Sequence, residues 1–66
     1  MIRQIIFFVS IDGIQKTHET PVLFFEWDGK SPVMDSAFAK LKEYMQDKFP
    51  NKNYNIPNWH WADKGQ

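Results

Sequence analysis

Ile5-Ile6-Phe7-Phe8-Val9, together with its shorter counterpart Val22-Leu23-Phe24-Phe25, decides the fold of this 66-residue chain. A β-strand sends alternate side chains to opposite faces, so either run, folded as a strand, is apolar on both sides. An antiparallel sheet with a helix on one face and water on the other reads apolar-in and polar-out. These two runs do not, and the rest of the chain has room for only one helix. The second apolar face therefore needs a cover: the aromatic C-terminal tail, a second copy of the chain, or a partner.

Outward from these runs, Ile2 to Ile11 reads as a first strand, rich in β-branched and aromatic residues. Ile5, Phe7, Val9 and Ile11 make its cleaner core face; Gln4, Ile6, Phe8 and Ser10 make the other. Asp12-Gly13 is a turn dipeptide, and the polar run from Gln15 to Glu19 lengthens it into a hairpin loop. Thr20 to Asp28 reads as the second strand, with Pro21 tolerated at its start. Its core side carries Leu23, Phe25 and Trp27, and its other side Val22, Phe24 and Glu26.

Asp28-Gly29-Lys30 stops that strand, and Ser31-Pro32 reads as an N-cap followed by proline at the first helical position. From Pro32 to about Lys48, Met34, Ala37, Phe38, Leu41 and Met45 recur at helical spacing. The expected contact stripe is Met34, Phe38, Leu41 and Met45. Asp35 and Lys48 suit the two ends of the helix dipole, and Pro50 ends the helix near Phe49. In the tail, alternation across Trp59-His60-Trp61 predicts a short third strand beside Pro57, with Ala62 to Gln66 fraying. The prediction is one α+β domain over residues 1–66, in the order β-β-α-β, with a small antiparallel sheet packed on one amphipathic helix.

A chain this short buries only about 60% of its unfolded surface, and small domains compensate with disulfides, metal, self-association or a rich core. There is no cysteine, which removes disulfides and thiolate metal sites. Six Phe, three Trp and two Tyr supply a dense aromatic core instead. Eight Lys and Arg balance eight Asp and Glu, so no long-range field favours nucleic acid or an anionic membrane. The apolar N-terminal run is too short to span a bilayer, which takes about 20 residues, and no small-residue cleavage site follows it. A cytoplasmic location is expected.

Chemistry is sparse. His18 and His60 are the only histidines, and they sit in the predicted loop and the tail without the three or four convergent ligands a metal needs. The carboxylates Asp12, Glu26, Asp28 and Asp63 show no fixed pairing for acid–base work. Ser10, Ser31 and Ser36 lack a nucleophile-elbow context, and Asp12-Gly13 and Asp28-Gly29 are turns, not phosphate-cradling loops. The expectation is a non-enzymatic protein without cofactor, metal or small-molecule substrate.

Two functional readings follow. The first is a small protein-binding or regulatory module that works through its apolar outer sheet face or an edge strand, either on a protein partner or on itself as a homodimer. Its candidate contact residues are Ile6, Phe8, Val22, Phe24, Trp59, His60 and Trp61. The second is a single-stranded nucleic-acid binder that stacks bases on Phe8, Phe24 and the tail aromatics; the lack of surrounding Lys and Arg counts against it. Trp59 and Trp61 are as well suited to closing the core as to anchoring a partner. If they join the core, the face of Ile6, Phe8, Val22 and Phe24 stays open.

Overall fold

The computed structural model describes residues 1–63. The chain runs β1 (Ile2–Ile11), β2 (Thr17–Glu19), β3 (Leu23–Glu26), α1 (Val33–Lys48) and β4 (Tyr54–Trp61). It is an α+β fold, with one helix packed on an antiparallel sheet. β1 is the central strand and pairs with all three others. Ile5 pairs with both Leu23 and Trp61, and Phe8 with both Glu19 and Asn58. A strand has only two edges, so β2 and β3 lie end to end along one edge of β1 and β4 lies along the other. In width the sheet is three strands.

The strand expected over Thr20 to Asp28 is shorter, β3 spanning Leu23–Glu26, and a separate strand, β2, precedes it on the same edge of β1. Asp12 (φ 54°) and Gly13 (φ 74°) both have positive φ, as a type I′ hairpin turn requires, and the Ile14 N–H closes the turn on the Ile11 carbonyl at 3.0 Å. Pairing resumes after Gln15 and Lys16, so Thr17-His18-Glu19, expected as loop, forms β2 against Ser10-Val9-Phe8. All three residues are exposed, which is why no apolar alternation betrays them.

Between β2 and β3 the facing chain holds one residue more than β1: Glu19 to Leu23 spans four steps against three from Phe8 to Ile5. This bulge sits opposite Phe7, at the centre of the core, where an unpaired N–H is costly. Thr20 resolves it. Its own N–H donates to the Phe7 carbonyl at 2.9 Å, its Oγ1 accepts the Phe7 N–H at 3.0 Å, and its hydroxyl donates to the Pro21 carbonyl at 2.9 Å. Thr20 is the buried polar residue of the described chain, with 5% exposure.

The helix start is organised by Asp28, not by Ser31. One Asp28 carboxylate oxygen accepts the N–H groups of Lys30 and Ser31 and the Ser31 hydroxyl, at 2.8, 2.9 and 2.9 Å. These bonds, led by that from the Ser31 N–H, hold the Asp28 carboxyl below its usual range. With the Ser31 hydroxyl engaged there, Pro32 occupies the N-cap position and Val33 begins the helix. Pro32 brings no side-chain cap, but its fixed φ suits the entry.

The core is Ile5, Phe7, Val9 and Ile11 of β1, Leu23 and Phe25 of β3, and Ala37, Leu41 and Met45 of α1. The helical residues form one i, i+4 row, and Phe38 is not among them. One position on from Ala37, it is turned about 100° round the helix; it is 41% exposed and touches the core only at its margin, 5.8 Å from the Phe7 ring. Met34 is half-buried beside the row.

Candidate functional site

Residues directly opposite in antiparallel pairs share a face, so the registers fix both faces of the sheet. Trp61 faces Ile5, Trp59 faces Phe7 and Tyr54 faces Ile11. The tail aromatics therefore lie on the helix side, half-buried against the core. Trp59 and Trp61 meet edge to face at 5.3 Å and 76°, and Trp61 lies 6.3 Å from Phe25.

The opposite face receives Ile2 beside Glu26, Gln4 beside Phe24, Ile6 beside His60, Phe8 between Glu19 and Asn58, and Ser10 between Thr17 and Asn55. Val22, one step beyond the last β3 pair, shares the parity of Phe24 and joins them. No element of the described chain packs on this face. Phe24 is 55% exposed, and Ile2 and Val22 are exposed with it; Phe8 is flanked by strands on both sides, Ile6 by β4 on one side and the break between β2 and β3 on the other, and both are half-covered. The ring of Phe8 lies 5.4 Å from that of His60, tilted by 41°.

Of the candidate contact residues, the fold thus brings Ile6, Phe8, Val22, Phe24 and His60 together on the open face and sends Trp59 and Trp61 to the other. Ile2 belongs to the patch and was missed; continuing the alternation from Phe8 back to the strand start would have found it. The side chains on this face include no Lys or Arg among the described residues. Its carboxylates are Glu19 and Glu26, on the β2–β3 margin, and Glu26 pairs with the Met1 amino group at 2.5 Å.

Both sheet edges are interrupted. Pro21 sits in the bulge of the β2–β3 line. On β4 a second irregularity sets Ile56-Pro57 against Val9, Pro57 has no N–H to offer, and the Trp59 N–H is taken by the Asn58 side chain at 2.8 Å. Proline and bulges on edge strands discourage addition of a foreign strand. The geometry favours the face over the edge.

At the opposite end of the helix-side layer, Arg3 stacks between two tryptophans. Its guanidinium carbon lies 4.2 Å from the Trp61 ring centre and 5.5 Å from that of Trp27, and its Nε donates to Asp63 at 2.6 Å. The two side chains are only 11% and 10% exposed. The hydrogen bond from Arg3 holds the Asp63 carboxyl below its ordinary range. Ala62 and Asp63, expected to fray, are fixed by this pair and by the Ala62 N–H donating to the Gln4 carbonyl at 2.9 Å. The remainder of the expected frayed tail, 64–66, lies outside the described residues. Composition gives no hint of this cluster, because Arg3 and Asp63 are 60 residues apart in the chain.

The two histidines stand apart. His18 lies in β2 rather than in a loop, with its ring 6.1 Å from Phe49, while His60 lies on the open face. Among the described residues no three His, Asp or Glu side chains converge as metal ligands. Two surface clefts of about 430 and 440 Å³ flank the helix, one beside Lys42, Phe49 and Tyr54, the other beside Phe24, Lys40 and Tyr44. Both reach pocket volume, but as open troughs. No described helix is long and apolar enough to cross a membrane. Comparison with protein-family models, curated proteins and solved structures gives no match to this chain.

Proposed function

We propose that this protein is a small non-enzymatic binding module that regulates a protein partner by docking the open face of its sheet on it. What supports this reading is one observation: Ile2, Ile6, Phe8, Val22 and Phe24 share a face that no described element covers. A contiguous apolar patch of a few hundred Å² on a small domain marks an association surface. The absence of Lys and Arg from the face's described side chains disfavours the nucleic-acid alternative, since strand-binding platforms combine stacking aromatics with a cationic groove. The reading takes the protein to act in the cytoplasm, in keeping with a chain free of cysteine.

The test is cross-linking capture from a cell extract, run beside solution mass, for the wild type, Phe24→Lys, and Phe38→Lys as a control on the helix side. The reading expects a captured protein, or a mass above one chain, that Phe24→Lys loses and Phe38→Lys keeps. Equal behaviour of all three proteins, each folded by circular dichroism, overturns it.

A further inference from the structure

Resting on the reading above, we infer that the open face takes an amphipathic helix whose apolar stripe is flanked by Lys or Arg, rather than a second copy of this chain. Three strands span about 14 Å at 4.7–4.9 Å per strand, and a helix with its side chains is about 10–12 Å across. The molecule already seats a helix on this sheet: on its other face α1 packs Ala37, Leu41 and Met45 into one core with β1 and β3. A second helix on the open face would complete a three-layer stack.

Ten residues of β1 extend about 33 Å, which gives the face roughly 450 Å². Two copies packed face to face would bury roughly 900 Å², short of the 1,200–2,000 Å² of a stable association. A contact of this size suits a transient helix–sheet encounter.

With the two-fold axis across the strands, face-to-face copies would bring Glu19 and Glu26 of both chains together, and with the axis along the strands each acidic margin would meet Asn55, Asn58 and His60; in neither arrangement does a Lys or Arg of the described face answer the carboxylates. Glu26 has the Met1 amino group, but among the described residues Glu19 has no cation within 4 Å. It stands on the β2–β3 margin beside Phe8, whereas the β4 margin carries only the neutral Asn55 and Asn58 and His60. The acidic margin runs along one side of the apolar stripe, so it selects a helix with a cationic flank and fixes which way round that helix lies.

Two model helices of about 18 residues, sharing one leucine stripe but flanked by lysine in one and glutamate in the other, test this by titration against the whole protein. The Lys-flanked helix should bind about tenfold tighter than the Glu-flanked one. Glu19→Lys should erase or reverse that preference, and Phe24→Lys should abolish binding of both. Equal affinity of the two helices, or a preference that survives Glu19→Lys, overturns the inference. If neither helix binds while the wild type is a dimer that Phe24→Lys splits, the inference fails and the binding-face reading stands. If neither binds and Phe24→Lys alters neither capture nor mass, both fail.

Discussion

Phe7 and Phe8 are neighbours in the chain and opposites in the fold. Phe7 is wholly buried between sheet and helix, whereas Phe8 is half-covered by its flanking strands and looks out beside His60. The difference teaches that the same residue type, one peptide apart on the same strand, serves stability on one face and is free for recognition on the other. From Ile5 to Ile11 the helix side of β1 shares one core with Ala37, Leu41 and Met45, while the open side is closed by nothing in the described chain.

The sharpest way to break that contrast is to truncate each phenylalanine in turn. Phe7→Ala should destabilise by about 3–5 kcal/mol, a large part of the roughly 3–10 kcal/mol that a domain of this size commands. Phe8→Ala should cost about 1 kcal/mol or less, by urea denaturation. Equal losses would mean that Phe8 is core and the face is covered.

Thr20→Val comes next, because it keeps the shape and removes the oxygen that accepts the buried Phe7 N–H. A loss of about 1–3 kcal/mol is expected, with faster amide exchange at Phe7. Phe38→Ala should fall between the two phenylalanines of β1, at about 1–2 kcal/mol, since part of its ring is already in water. A loss as large as that of Phe7→Ala would return Phe38 to the core.

Asp63 sharpens the comparison by pH. Its carboxyl is depressed by Arg3 in the folded state, so the pair contributes stability above the ordinary carboxylate pKa, and that contribution is lost as the pH falls through the depressed value. Asp63→Asn should lower the melting temperature at neutral pH and converge with the wild type in acid. Asp28, depressed by its own hydrogen bonds, retains its share of acid sensitivity in that variant. The smallest effect belongs to Phe24→Lys, whose stability should stay within about 0.5 kcal/mol of the wild type while its association changes.

By itself the sequence determined the period of each main element. The alternation of Ile5, Phe7 and Val9, the helical spacing of Ala37, Leu41 and Met45, and the turn chemistry of Asp12-Gly13 are local signals, and a strand, a helix and a hairpin follow from backbone geometry alone. The bounds Ile2–Ile11 and the helix end at Lys48 were legible for that reason, as were Ile6, Phe8, Val22 and Phe24 as one outer set. Only the tertiary structure decided what local signals cannot carry. Pairing against β1 recruited the polar β2, the Thr20 bulge satisfied an amide thirteen residues away, and the facing of Trp61 with Ile5 sent the tail aromatics to the helix side. Register is a property of two strands, not one: a shift by a single residue turns a side chain from core to solvent. That register is why the tail leaves the second apolar face open.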